Sequence, residues 1–324
     1  YWYLTNPQYC INIQYMSIYS ELLCLSCYSF LRGASHPHEL VQRAAQLGYQ
    51  SLAITDECSL SGIVKAHVAA KEVGLQLIVG SEFKLEEGIR LVALAPSRSA
   101  YSELSGLISM ARRRSPKGEY RANIRDVIFH LKRCLLIWLP QGHSGDNGKH
   151  DRAYGQQLAR LCKGRLWLGV SQLLGNDEAR HFQSTSALAA QLNIPMVACG
   201  DVRMHRAARK PLHDVFTALH HNTSIAQLGR RRLGNSQQHL RSLDKIDSLY
   251  PPELILETQR IASRCDFSLD ELRYEYPEEV VPKGQSANSY LRELVSAGSN
   301  RRWPNGVSDE IQQRIEREDR KSVV

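Results

Sequence analysis

Short apolar runs alternate along this chain with longer stretches whose apolar positions recur every three or four residues. The run at 51–55 reads Ser-Leu-Ala-Ile-Thr, and runs of similar kind occur at 21–25, 75–79, 90–95, 133–139, 165–170 and 195–199. Unalternating runs this short predict strands buried on both faces. Between them the period becomes helical. Leu40, Val41, Ala44, Ala45 and Leu47 fall on one face, with Ser35 placed to cap, Pro37 in the first turn and Gly48 as a stop. Helices are likewise predicted from Ser59 or Ser61 to Gly74, and over 101–114, 177–193, 211–222, 253–265 and 308–320.

Such alternation predicts an α/β fold with a parallel sheet covered by helices, and six or seven units favour a closed barrel over an open sheet. The polar stretch 141–151 and the stretch 228–238, with Arg230, Arg231 and Arg232, read as exposed loops. Pro277, Pro282 and Gly284 predict a linker over 277–286, followed by a separate helical piece. The stretch 1–15 has no charged residue and the first methionine is Met16, so 1–17 reads as an atypical leader outside the fold. At the other end the helical pattern stops without Gly or Pro, as in a chain cut short.

Composition narrows the classes. Hydrophobic residues make up 43% and charged residues 23%, globular values that exclude disorder of the whole chain. The longest central apolar run, 135–139, is far short of the roughly 20 residues a bilayer requires. The eight cysteines are scattered, which reads as reduced, buried thiols of a cytoplasmic protein. A net charge of +8 is compatible with a polyanionic partner, and equally with a solvated basic surface.

In α/β barrels chemistry gathers at the carboxyl ends of the strands. Three of those ends here carry acids: Asp56 with Glu57, Glu82, and Asp201. Carboxylates on one rim repel unless neutralised, which suits a hard metal such as Mg²⁺ or Mn²⁺; alternatively each acid caps the helix after its strand. Imidazole support is thin. The first strand has Leu23 and Leu25 where ligands would face the rim, and the one imidazole close to Asp201 in the sequence is His205. Cys24 and Cys27 form a lone pair with no second pair at zinc distance. The clusters at 112–114, 230–232 and 301–302 could meet phosphates or simply be solvated, and no residue is assigned to nucleic acid. No Gly-rich phosphate loop, nucleophile elbow, zinc-protease helix or Asp-x-Asp pair occurs.

Several of these stretches, in order, resemble the N-terminal part of the bacterial C-family DNA polymerases, most nearly their error-prone branch. They are 29–37 (Ser-Phe-Leu-Arg-Gly-Ala-Ser-His-Pro), 52–60, 78–83, 198–205 and 273–277. The resemblance implies a PHP (polymerase and histidinol phosphatase) domain at 18–276, a distorted (β/α)7 barrel. It implies the linker at 277–286 and the first helices of the polymerase palm at 287–324. For the parent enzyme it implies DNA synthesis past lesions, with Mg²⁺, primer–template DNA and replication accessory proteins. Against the family's pattern, Leu23 and Leu25 stand where a His-x-His pair belongs, Glu57 where a His follows the strand-end Asp, and Arg203 where a His follows the last Asp. Only Asp56, Glu82 and Asp201 match ligand positions. The expectation is a vestigial metal site, with Arg203 satisfying the acids, no bound cofactor and no catalytic residue within this chain. The alternative is a stand-alone metal-dependent phosphoesterase using the same three acids.

Overall fold

The fold is described from a computed structural model, which covers residues 18–140, 149–272 and 281–321. The leader at 1–17, part of the loop at 141–151 and part of the linker at 277–286 lie outside the described residues. The chain divides into two compact units, Tyr1–Leu272 and Arg273–Val324.

The first unit is built on seven strands: β1 (Ser20–Glu21), β2 (Ser51–Ile54), β3 (Gln76–Lys84), β4 (Arg90–Leu94), β5 (Leu135–Leu139), β6 (Leu166–Val170) and β7 (Met196–Ala198). They neighbour one another in chain order. The ring closes beyond the ends of β1 and β7, where Leu25 N donates to Val202 O at 2.8 Å and Val202 N to Leu23 O at 2.9 Å. Around it lie α1 (Pro37–Gln46), α2 (Ile63–Val73), α3 (Arg98–Arg113), α4 (Ile124–His130), α5 (Lys149–Leu161), α6 (Glu178–Leu192), α7 (Lys210–His220), α8 (Leu243–Leu249) and α9 (Pro252–Ala262). One apolar cluster joins alternate residues of the strands, including Ala53, Ile78, Val92, Ile137 and Val197, to Ile261 and Ala262 of α9. A second lies between strands and helices, as Leu52 and Ile54 pack with Leu40, Val41, Ala44 and Ile63. This inside–outside alternation is what a strand buried on both faces must show.

The structure corrects the sequence expectations in several places. β4 is antiparallel to both β3 and β5, so the sheet is mixed. The cause is the connection: Leu85–Ile89 is a tight turn, with Leu85 N bonded to Ile89 O at 2.8 Å and Gly88 at φ 77°. So short a link cannot carry a parallel crossover, which needs about a dozen residues. β3 continues through Gly80, Ser81 and Glu82 to Lys84 and does not stop at 79. The first strand is shorter than 21–25 because side chains take its backbone donors: Leu23 N bonds Glu21 Oε1 at 3.0 Å, and Cys24 N bonds Thr55 Oγ1 at 3.0 Å. Finally, Ser35 does not cap α1. His36 stands at the cap and its N–H goes to Glu39 Oε2 at 2.8 Å, while Ser35 Oγ accepts from His205 N at 2.9 Å. Helices α4 and α8 were not predicted, and α5 begins inside the predicted loop.

The second unit contains α10 (Ala287–Arg302) and α11 (Asp309–Lys321) among its described residues. Ser286 caps α10 by accepting from Ser289 N at 3.1 Å.

Candidate functional site

The period of two along the strands decides which side chains share the barrel mouth. Ile78, Gly80 and Glu82 lie on one face of β3; Val197, Cys199 and Asp201 continue one face of β7. Because β4 runs the other way, its first residue, not its last, reaches the same mouth. That residue is Arg90, two positions before the lumen-facing Val92.

Arg90 joins the two acids. Its Nε donates to Glu82 Oε1 at 2.9 Å, and its Nη2 and Nη1 donate to Asp201 Oδ1 and Oδ2 at 2.5 and 3.2 Å. Glu82 is fully buried and the Arg90 side chain 12% exposed, so the interaction is little screened by water. Arg32 reaches in from the loop after β1, donating to Glu82 Oε1 at 3.3 Å and also pairing with Glu57. Glu57 further accepts from Tyr120 Oη at 2.9 Å, with Lys84 Nζ at 3.7 Å. Gln238 Nε2 adds a bond to Asp201 Oδ2 at 2.6 Å.

These contacts set the protonation of the site. Burial alone would raise the Glu82 carboxyl, but Arg90 and then Arg32 outweigh it and hold it at about 2. Asp201 lies well below the usual carboxylate range for the same reason, with Arg90 and Arg203 opposing burial. Lys84 is pushed down to about 8 by burial and by the neighbouring Arg32.

Asp56 is satisfied separately. Its Oδ1 accepts from Ser26 N, Ser29 N and Ser29 Oγ at 2.8, 3.1 and 2.7 Å, and its Oδ2 from Ser26 Oγ at 2.7 Å. Burial still leaves its pKa raised despite those bonds. Asp56 therefore shares no hydrogen-bond partner with Glu82 or Asp201, and neither Asp56 nor Asp201 caps the helix that follows it: α2 has Gly62 and α7 has Arg209 at the cap.

Of the positions that the sequence resemblance marks for imidazole, Leu23 and Leu25 are buried apolar side chains. Glu57 faces the mouth as the partner of Arg32. Arg203 comes no nearer than 3.7 Å to Asp201, so Arg90, which the sequence reading passed over, does the pairing expected of Arg203. Among the described residues, no group of three or more His, Cys, Asp and Glu is arranged to hold a metal ion. The donor set does not fit a multi-metal cluster, since the acid oxygens already face guanidinium and hydroxyl donors. Elsewhere, Arg112 donates to the carbonyls of Cys58 and Glu57, each at 3.2 Å, and is no free phosphate ligand. The seven described cysteines are all free, and Cys27 is half-buried while the others are buried.

A further buried acid was not singled out from the sequence. Glu21 Oε1 accepts from Leu23 N at 3.0 Å and Gly200 N at 2.9 Å, and Oε2 from Tyr19 Oη at 2.9 Å. Burial pushes this carboxyl up to about 7, against the opposing pull of those donors. An acid at the head of an otherwise apolar run was the available signal.

Comparison with known proteins agrees with the resemblance read from the sequence. Residues 21–154 match the PHP domain family. An error-prone DNA polymerase of Teredinibacter turnerae is 52% identical over 289 residues, 89% of this chain and 28% of that protein. Its counterpart in Saccharophagus degradans is 50% identical over 299 residues, 92% of this chain and 28% of that protein. The chain thus spans little more than a quarter of the length of these relatives. Among solved structures, an amidohydrolase from Chromobacterium violaceum overlaps 57% of this chain and 87% of its own at 14% identity, with a TM-score of 0.44. Among the described residues no helix is long and apolar enough to cross a membrane.

Proposed function

We propose that this chain is the PHP-barrel portion of an error-prone DNA polymerase, and that the barrel supports the polymerase without hydrolysing phosphoesters itself. The observation that carries this reading is Arg90, whose guanidinium spans Glu82 and Asp201 where a metal cluster would need their oxygens. A fixed cation placed between two acids neutralises them without a metal and opposes entry of one. Asp56, Glu82 and Asp201 are then vestiges of a ligand set, now serving as structural anchors. The barrel extends over 18–276, the linker over 277–286, and 287–324 begins the palm. The parent protein would act in the cytoplasm on primer–template DNA, with Mg²⁺ and replication accessory proteins, through palm aspartates for which this chain has no matching motif.

The test is metal content against turnover. The purified chain is stripped with chelator, incubated in turn with Mn²⁺, Zn²⁺ and Mg²⁺, desalted and assayed by elemental analysis and with a phosphomonoester. Metal well below one equivalent, with no phosphate release, is the expected result. Stoichiometric metal accompanied by hydrolysis would overturn it in favour of a phosphoesterase built on the same three acids.

A further inference from the structure

Cys24 and Cys27 stand close in the sequence, and the fold gives them different surroundings. Cys24 is buried in the core between strands and helices. Cys27 is a free thiol, and among the described cysteines it alone is not buried. Its Sγ lies 3.2 Å from Nδ1 of His36, an exposed imidazole at the N-cap of α1. Thiol and imidazole share one proton at that contact, with S–H as a weak donor and the ring nitrogen as acceptor.

The pair is fixed from several sides. Cys27 N donates to Ser35 O at 2.8 Å, which ties the thiol's backbone to the residue before His36. Asp56 receives four hydrogen bonds from Ser26 and Ser29 on either side of Cys27. Gly33 packs so tightly on the start of this loop that a β-carbon there would stand 2.1 Å from Ser26 O. The His36 ring lies nearly parallel to that of His38, with centres 5.5 Å apart, and His36 N donates to Glu39 Oε2 at 2.8 Å. A nucleophile and a base already in contact have little freedom left to lose before attack. The surroundings do not favour a standing thiolate. Burial and then Asp56 push the Cys27 thiol up; its own backbone N–H and Lys65 pull it down, and Glu39 pushes it up again. The proton therefore has to leave during attack, and His36 is placed to take it.

We infer that Cys27 is a site of reversible S-thiolation by a low-molecular-weight disulfide, with His36 as its base. Sγ of Cys27 attacks one sulfur of the disulfide and passes its proton to His36 Nδ1. A new S–S bond forms as the disulfide's own S–S bond breaks, and the departing thiolate takes the proton back from His36. The Cys27 sulfur is oxidised and the leaving sulfur reduced, so no further oxidant enters. Excess thiol reverses the step by the same exchange. The other six described cysteines are buried, out of reach of the disulfide while the chain is folded. The step uses no metal and none of the acids that Arg90 pairs.

The experiment incubates the full chain with oxidised glutathione and follows mixed-disulfide formation by mass spectrometry. Peptide mapping reads Cys27 apart from Cys10 and from the buried cysteines. The Cys27 peptide should gain glutathione, lose it again with dithiothreitol, and gain none in Cys27→Ser. His36→Asn keeps a side chain suited to the N-cap and removes the base. It should react about tenfold more slowly at neutral pH, and the gap should close at alkaline pH, where hydroxide removes the proton instead. A residue that only shaped the loop would slow the reaction equally at both. Thermal melting checks the fold, and His36→Gln, with the same expectation, replaces His36→Asn if that variant melts early. An unmodified Cys27 peptide in the parent, or a base-free variant as fast as the parent at neutral pH, would overturn the inference. A deficit of the same size at both pH values, or glutathione spread over the buried cysteines, would overturn it as well.

Discussion

Glu21 and Glu82 are buried to the same degree, 1% and 0% exposed, in the same barrel. Their acidities nevertheless lie on opposite sides of the ordinary value, at about 7 and about 2. Burial pushes both upward. The difference is what touches them. Glu82 meets two guanidiniums, Arg90 and Arg32. Glu21 meets two backbone N–H groups and a tyrosine hydroxyl, and the pull of the Arg241 charge ranks last among the influences on it. Neutral donors satisfy a carboxylate's hydrogen bonds but return only part of the hydration free energy that a charge loses on burial. A positive charge returns much more. The mouth of the barrel is thus a place where charges are matched, and the seam beside Gly200 a place where one charge is tolerated.

Removing Arg90 should therefore break the comparison most sharply. Arg90→Met keeps much of the side chain's length but leaves Glu82 and Asp201 buried without their shared cation. Loss of one partner of a buried pair costs about 3–5 kcal/mol. Chemical denaturation at neutral pH should show a drop of that size, and acidification should restore part of it by protonating the stranded acids. A variant as stable as the parent would mean that Arg32 and Arg203 suffice.

Titration comes next. The folded pKa of Glu21 lies above its unfolded value, so its contribution is fully present below about 4.5 and is lost as pH rises through about 7. At one pKa unit per 1.36 kcal/mol, the change is about 3 kcal/mol. Glu82 has the opposite sign: its contribution is present above about 4.5 and disappears as pH falls towards about 2. Glu21→Gln should flatten the loss of stability between pH 4.5 and 7, because the amide can accept from Leu23 and Gly200 and donate to Tyr19. Denaturation curves across that range check it. An unchanged slope in the variant would assign the pH dependence to another group.

Asp56 is an intermediate case, an acid met by hydroxyls and backbone donors on both of its oxygens. Asp56→Ala orphans the N–H groups of Ser26 and Ser29, at about 1–3 kcal/mol for each unsatisfied buried group, less what entering water recovers. A loss of about 2 kcal/mol is expected, with faster hydrogen exchange confined to the loop after β1. Exchange spread evenly over the barrel would contradict a local anchoring role.

How much of this could be read from the residues follows the same physics. Strands buried on both faces announce themselves as short apolar runs, and six of the seven were placed within a few residues, though β3 ran further than its apolar run. The reversal of β4 was legible too, because the residues 80–89 between the two apolar runs are fewer than a parallel crossover requires and include Gly88. Reading every strand as parallel hid the consequence: the amino end of an antiparallel strand lies at the mouth, so Arg90 belonged among the site residues. Arg32 was not legible in that way. Its reach to Glu57 and Glu82 depends on a loop that folds back through Gly33 and Leu31, and no periodicity encodes that path. The acids at 56, 82 and 201 were found because strand ends are countable; their partners lie elsewhere in the sequence and only the fold brings them in.

The smallest effect marks the outer limit of the comparison. Asp270 pairs with Lys71 Nζ at 3.0 Å and with His67 Nε2 at 3.2 Å, a geometry no worse than that of the Glu82 pairs. Its pKa is lowered, chiefly by the hydrogen bond from Lys71 and then by His67. But Asp270 and Lys71 are about 60% exposed, so water supplies nearly the same stabilisation in the unfolded chain and salt screens what remains. Asp270→Asn should leave the melting temperature indistinguishable from the parent at physiological salt, while Arg90→Met lowers it plainly in the same assay. If the two variants fell together, distance alone would govern these ion pairs, and the contrast between the matched mouth and the solvated surface would fail.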